Sequence, residues 1–451
     1  MIVAKPMIRL TCICFVAMPA LAAWQAGAAK ADITPTEPVP LAGYGGKTRM
    51  SSRVLHPIWL KALALRDETG ATSVLVTADL VGLSTKMVDI IAGRAQARYG
   101  IPRERLILNY SHNHSCPVTE DVLWLYYDLT PNERAARDRY TQRLYGQYEQ
   151  VIGEAIGNLA PAELSFEQGL AGFAVNRRRS RPGGRKFGGQ VDHDVPVIAV
   201  RSGGALRAVA FGYSCHTTAL SGETVNGDYA GFAQIEIEKT YPGATALFVQ
   251  NCGGDANPLP RIMRSNDPPA IQLTEMYGRI LAEAVRQVLE RPMKPLAGPL
   301  RAAYGHTEIF FQRGPTAAEL DRELPRAREM RKREIQHLLD VYRQHGKLPD
   351  RYHYPVQVWR FGDSLTFIAL TGETVADYCL RFKAAYGWDH TWVAGYNNDL
   401  LSYVPSLRVL REGDYEGTTG MAEYGHPAPY TFSVEEQIAQ KVEELVNQTR
   451  P

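Results

Sequence analysis

Two histidines one residue apart, in Ser111-His112-Asn113-His114-Ser115-Cys116-Pro117, are the first residues in this chain whose type and spacing suit chemistry. In an extended segment alternate side chains share a face, so the spacing predicts that His112 and His114 point together while Asn113 points away. Two adjacent imidazoles suit metal binding or proton transfer, although an H-x-H pair alone is equally compatible with two structural histidines. A third imidazole, His216, follows the apolar run that ends in Phe211-Gly212-Tyr213. Glu373 follows Phe367-Ile368-Ala369-Leu370-Thr371, with Gly372 between them allowing close backbone approach. For Glu373 alone the simpler expectation is an acid at the start of a helix beginning near Val375. Two histidines and a carboxylate from separate strand ends, however, match the ligand set of a catalytic zinc that keeps a position open for water. Such a metal lowers the pKa of that water toward about 7.

Two glycine turns add carboxylates. Asn226-Gly227-Asp228-Tyr229-Ala230-Gly231 and the run Gln250 to Pro258 present Asp228 and Asp255. Either would suit orientation of a metal-bound histidine; ordinary turn chemistry is the simpler reading of each alone. Of six cysteines, Cys12 and Cys14 lie in an N-terminal apolar stretch, leaving Cys116, Cys215, Cys252 and Cys379 with no C-x-x-C pair. A thiolate zinc site is not expected; one disulfide or buried free thiols both fit.

The elements that must position these residues alternate. Ser73 to Asp79 reads as a buried strand, Met87 to Tyr99 as a helix stopped by Gly100, and Leu106 to Tyr110 as a strand delivering Ser111 to His114. Further strands are expected over Val197 to Val200, Ala208 to Tyr213, Ala244 to Gln250 and Leu365 to Leu370. Leu273 to Leu289 reads as a helix with Met276, Ile280, Leu281, Ala284 and Val288 on one stripe. This is an α/β pattern, with mixed sheets and flanking helices. The charged segment from Ala317 to Tyr342 predicts an exposed helix or lid. No repeat or internal boundary is evident, so 24–451 reads as one domain.

With 451 residues, 45% hydrophobic and 22% charged, the chain has material for a large core. Lys5 and Arg9, then an apolar stretch from Leu10 to Ala23 containing Ala20-Leu21-Ala22, predict a secretory signal peptide over 1–23. A membrane span needs about 20 apolar residues, and Pro19 interrupts this shorter run. The expected location is therefore secreted or periplasmic. Without Lys5 and Arg9 the remaining chain has 48 basic against 48 acidic residues. That balance gives no footprint for nucleic acid or an anionic membrane surface. The basic run Arg177 to Arg181 reads as a solvated loop.

In order, SHNHSCP, NGDYAG, VQNCGGDANP, TGET and NNDLLSYVPS followed by Glu412 to Glu416 resemble the motifs of neutral, non-lysosomal ceramidases, spanning nearly all of Ala31 to Tyr415. In that family the corresponding motifs run H-T-H-S-G-P, G-D-x-x-G, Q-x-x-x-G-D-x-(S/N)-P, P-G-E, and a Tyr-rich segment before E-E-Y. The resemblance implies a fold like the ceramidase catalytic domain and a zinc ion held by His112, His216, Glu373 and Tyr403. It further implies that His114 contacts the substrate carbonyl or shuttles a proton, that Tyr415 hydrogen-bonds the developing oxyanion, and that Arg177 reaches the polar part of the substrate. The implied reaction is hydrolysis of the N-acyl amide of ceramide or a related lipid to fatty acid and amine, compatible with transient membrane-surface contact. Oligomeric state is left open. Cys116 stands where the family has Gly, Thr371 where it has Pro, and Glu412-Gly413-Asp414-Tyr415 where it has E-E-Y. The immunoglobulin-like domain that follows the catalytic domain in ceramidases is not expected before Pro451. Two alternatives stand beside this reading: a zinc hydrolase for another amide or ester, and a non-catalytic binding protein on the same scaffold. The presence of all four ligand candidates favours catalysis.

Overall fold

The computed structural model describes residues 24–46, 48–178, 189–261 and 268–450; the segment read as a signal peptide lies outside them, as do Arg179 to Arg181 of the basic run. A 13-stranded mixed sheet organises the described residues. In chain order its strands are β1 (Trp24–Asp32), β2 (Trp59–Arg66), β3 (Thr72–Ala78), β4 (Leu106–Tyr110), β5 (Ala160–Leu170), β6 (Asp194–Ser202), β7 (Ala205–Tyr213), β8 (Thr245–Gln250), β9 (Leu300–Phe310), β10 (Arg351–Phe361), β11 (Leu365–Thr371) and β12 (Thr391–Asn397). Their spatial order is β8-β7-β6-β5-β1-β2-β3-β4-β12-β11-β10-β9, with the short Lys294–Pro295 pairing on β5. Pairing is antiparallel except for β7 with β8, β3 with β4 and β11 with β12. The expected α/β class with mixed sheets and flanking helices is the one observed.

The strands read as apolar runs because both faces are covered. Helices α1 (Thr85–Tyr99) and α2 (Pro131–Gly157) pack over β1 to β4 around Leu60, Val76 and Ile152. Helices α3 (Asp228–Thr240) and α4 (Pro268–Leu289) pack over β6 to β8 around Val197, Phe211 and Tyr277. The other face curls around a core that includes Ile107, Phe166, Leu247, Phe367 and Trp392. The curl brings β8 from the edge of the sheet to its middle, where the Gln250 amide donates to Asn109 Oδ1 at 2.9 Å and Asn251 bridges Ala394.

Helix α1 starts at Ser84, whose side chain accepts from the Met87 amide, and ends at Gly100 in the left-handed conformation. Helix α4 departs from its expected stripe. Met276 and Ile280 are 46% and 38% exposed, while Tyr277, Leu281, Val285 and Val288 face the core. Gly278 explains the rotation: a Cβ there would lie 2.5 Å from the Phe232 side chain, so the line of closest approach to α3 runs beside it.

The charged segment forms two helices, α5 (Ala317–Glu323) and α6 (Glu329–His345), which share a small core of Leu320, Ile335, Leu338 and Leu339. Arg333 of α6 donates to the carbonyls of Leu125 and Tyr126 at 2.9 and 3.2 Å, fastening the pair to the 3-10 turn Trp124–Tyr126. Helix α7 (Ala376–Tyr386) follows β11. Beyond β12 come α8 (Leu407–Glu412), α9 (Asp414–Gly417), a 3-10 turn over Thr419–Tyr424, and α10 (Val434–Gln448). The four described cysteines are buried free thiols, which resolves their expected state.

Candidate metal centre and active site

The ends of β4, β8, β11 and β12 meet at Asn109. Its amide donates to Gly395 O at 2.9 Å and Asn397 Oδ1 at 3.0 Å, and Asn397 in turn donates to Leu370 O at 2.9 Å. Side-chain amides thus replace ladder bonds where the strands part, as buried backbone groups require. The loops leaving this junction and the end of β7 bring His112, His216 and Glu373 together. All three are buried, with ligand atoms within 4.8 Å of one another.

His112 Nε2 lies 3.2 Å and His216 Nε2 3.0 Å from Glu373 Oε2. His114 Nε2 lies 3.1 Å from His112 Nε2, so the two histidines do meet, but not through an extended segment. His112 has φ 58°, a left-handed conformation uncommon outside glycine. The turn, rather than strand alternation, brings the rings together. Gly43 allows this packing, since a Cβ there would sit 2.2 Å from His114 Cγ.

The second nitrogens decide the chemistry. His112 Nδ1 lies 2.8 Å from Val81 O, and His216 Nδ1 lies 2.7 Å from Gly253 O. A carbonyl only accepts, so each Nδ1 carries the hydrogen, and in the neutral ring each Nε2 turns a lone pair toward Glu373. Burial pushes the His216 imidazole down to about 4, helped by the Arg177 charge, which keeps it neutral near pH 7. Burial also holds His114 well below the usual imidazole range. At Glu373 burial favours the neutral carboxyl, and a positive charge on the His112 side, whether on an imidazolium or on a cation between the rings, holds the group well below the usual carboxylate range. Two lone pairs and a carboxylate therefore converge, a donor set that fits a divalent cation, with both imidazoles oriented by backbone carbonyls.

Glu373 does not start α7, which begins at Ala376. It lies in a short strand, Glu373–Thr374, paired in parallel with Tyr403–Val404, which sets Tyr403 beside it. Gly372, at φ 75°, makes this close approach possible, because a Cβ there would be 2.7 Å from Ser402 O. The Tyr403 ring stacks 6.4 Å from His216. Arg177 Nη2 donates to Tyr403 Oη at 3.0 Å, and its Nη1 lies 3.4 Å from His216 Nε2. The Tyr415 ring lies 5.2 Å from Tyr403. The seven residues to which the family resemblance gives roles are therefore neighbours.

Where described, the basic run is not a solvated loop. Arg177 Nε donates to Glu416 Oε1 at 2.7 Å and Arg178 Nη1 to Glu416 Oε2 at 2.6 Å, with Glu416 fully buried. Asp228 and Asp255 do not touch the histidine rings. Asp228 accepts from the amides of Ala219 and Leu220, bracing the loop after His216. Asp255 accepts from Ala376 N and Asn176 Nδ2, tying the Glu373 loop to the one that carries Arg177. Neither orients a metal-binding histidine directly nor serves only its own turn; each braces loops around the centre.

Glu416, Glu423, Tyr424 and Tyr126 were not foreseen. Tyr424 donates to Glu373 Oε1, and Tyr415 donates to Glu423 Oε2 at 2.5 Å, an oxygen that Tyr126 also contacts. The available signal was the pair Glu423-Tyr424, an acid and a phenol a few residues beyond the stretch in which E-E-Y is expected.

No protein-family model and no curated protein matches the chain. Solved structures do match. A neutral ceramidase from Pseudomonas aeruginosa superposes with a TM-score of 0.74 at 17% identity, over 95% of this chain and 75% of that one. A ceramidase complexed with C2 gives 0.72 at 16% identity, over 95% of this chain and 76% of that one. The resemblance first seen in the order of the motifs is thus matched by the architecture that positions them: the chain has the neutral ceramidase fold.

Proposed function

We propose that this chain is a zinc-dependent amidohydrolase that cleaves the N-acyl amide of ceramide or a related lipid into fatty acid and amine. The observation that carries the proposal is the donor count at His112, His216 and Glu373, where both Nδ1 hydrogens are spent on carbonyls and the facing atoms are acceptors. Imidazole and carboxylate ligands suit zinc, and Tyr403 would complete the set from the strand beside Glu373. When bound, zinc supplies a positive charge that polarises a carbonyl and makes hydroxide available near neutral pH.

The chain's own residues do the rest. Val81 and Gly253 hold the imidazoles in one tautomer. His114 has a buried Nδ1 without a partner among the described residues, leaving that nitrogen to contact the carbonyl or pass a proton to the leaving amine. Tyr415 supplies an O–H for the oxyanion, and Arg177 presents its guanidinium to the polar part of the substrate. The two solved neighbours, a neutral ceramidase and a ceramidase complexed with C2, support a lipid amide over other substrates. The basic, then apolar N-terminal sequence supports export to the periplasm or beyond. No helix among the described residues is long and apolar enough to cross a membrane; a lipid substrate would be met by transient surface contact.

The test is release of fatty acid from short- and medium-chain N-acyl sphingosines, assayed beside small polar amides and esters with a His112→Ala control. Ceramide cleavage that the control abolishes is the expected result. Turnover of a small amide or ester with ceramides untouched would overturn the lipid assignment and leave the metal hydrolase.

A further inference from the structure

We propose that Glu423 is a positioning residue whose carboxyl group decides whether the Tyr415 O–H is available to the reaction. The inference rests on the reading of Tyr415 as the oxyanion donor. Glu423 and Tyr424 are consecutive residues of the 3-10 turn Thr419–Tyr424, and they reach different parts of the centre. Tyr424 donates to Glu373 Oε1. Glu423 turns Oε2 toward two phenols, Tyr415 at 2.5 Å and Tyr126, whose hydroxyls are themselves 3.1 Å apart. One short turn therefore joins the metal ligand set to the phenol expected to face the oxyanion.

A proton count gives the consequence. A phenol has one hydrogen to donate. With Glu423 ionised, the set holds two hydrogens, and both phenols point theirs at Oε2, so Tyr415 has nothing to offer a developing negative charge. With Glu423 neutral, the set holds three. The carboxylic O–H then donates to a phenol oxygen, and the Tyr415 hydrogen is released to point at the substrate. The two states differ by one proton exchanged with solvent, none passes to the substrate, and the direction of one hydrogen bond reverses.

The surroundings favour the neutral form. Burial pushes the Glu423 carboxyl up to about 7, against the lowering effect of the two phenols. The groups facing it are Tyr126 from the 3-10 turn Trp124–Tyr126, Tyr415 from α9, Glu334 of α6, which pairs with Arg331 at 3.1 Å, and Glu373 across the centre. His337 of α6 packs on Gly425 at the end of the same turn.

The test compares pH profiles of kcat for wild type, Glu423→Gln and Glu423→Ala, with zinc content and near-ultraviolet circular dichroism confirming that each is folded. The Gln amide donates at every pH, so the expected result is an alkaline limb falling about tenfold per unit in wild type and absent in Glu423→Gln. Glu423→Ala removes the acceptor that competes for the Tyr415 hydrogen, so it should also lose the alkaline limb, with kcat lowered at all pH values and little change in KM because both phenols lose the group that orients them. Carbon-13 NMR of glutamate-labelled wild-type protein, with Glu423 assigned by its absence in the Gln variant, needs no substrate and should show a carboxyl titrating near 7. Failure of every N-acyl compound to turn over would sink the ceramidase assignment while leaving this measurement to decide. Superimposable pH profiles, or a carboxyl titrating near the ordinary value of about 4.3, would overturn the inference.

Discussion

Lys383 with Asp192 and Asp194, and His112 with His216 and Glu373, are both clusters of ionisable side chains, buried except for the part-exposed Asp194, yet they are built on opposite balances of donors and acceptors. Lys383 Nζ donates to Asp192 Oδ1 and Oδ2 at 2.9 and 2.7 Å and to Asp194 Oδ2 at 2.8 Å, which uses all three of its hydrogens. Asp192 also accepts from Ser214. That cluster is complete within the chain. At the histidines the hydrogens point outward to carbonyls while lone pairs and a carboxylate face inward. A buried charge persists only when it is paired, so the first cluster is explained by the fold and the second calls for a cation.

The widest separation between the two is expected from deletion. His112→Ala should abolish zinc binding and lower the hydrolytic rate by about 10³-fold or more, the several kcal/mol expected of a metal's charge stabilisation. Lys383→Met should do the reverse. It strands the buried Asp192 carboxylate beside the part-exposed Asp194 and costs about 3 kcal/mol in stability, read from urea unfolding, while zinc per folded molecule stays unchanged. Equal effects of the two substitutions on metal content would erase the distinction.

A third contrast concerns pH. His216 in the candidate metal centre and His426, whose Nε2 lies 2.8 Å from Leu401 O, are both buried with imidazoles pushed down to about 4, chiefly by burial. A depressed folded pKa gives stability that is present above the unfolded value of about 6.5 and lost as pH falls toward 4. Asp228, Asp255 and Asp399, which burial raises to about 6, act with the opposite sign, so differences between variants are the informative quantity. The stability gap between wild type and His426→Gln should narrow by roughly 2 kcal/mol between pH 7 and pH 5, with metal retention unaffected by the substitution. An unchanged gap would contradict the burial of a neutral His426.

The smallest expected effect lies at the buried carboxylate behind the two arginines. Glu416→Gln weakens the ion pairs that hold Arg177 and Arg178, and should lower kcat/KM about tenfold, about 1.4 kcal/mol, with zinc retained. A loss of zinc instead would make Glu416 part of the metal's support.

The sequence made the centre legible where function lay at strand ends. Leu106 to Tyr110 forms its strand as expected, and apolar runs place His216 and Glu373 just beyond their own strands. Other features depend on tertiary packing. The left-handed turn at His112 has no local signature, because histidine rarely adopts it. Met276 and Ile280 fit a helical stripe, but Gly278 turns α4 so that both face outward. Arg178 reads as a solvated charge until Glu416, more than two hundred residues away, is folded against it. Tyr403 and Tyr415 could be chosen among 23 tyrosines only by resemblance to a family, since a phenol in a core and one at an active site have the same local pattern. Glu423 was hidden for the same reason.

The most direct test of the account is the metal content and coordination of the purified chain, by elemental analysis and X-ray absorption. The prediction is one zinc per molecule with nitrogen and oxygen ligands at about 2.0–2.1 Å and no sulfur, although Cys215 directly precedes His216 in the chain. Glu373→Gln should lose that zinc. A chain that neither contains nor takes up zinc, and whose hydrolysis is indifferent to chelators, would contradict the central claim.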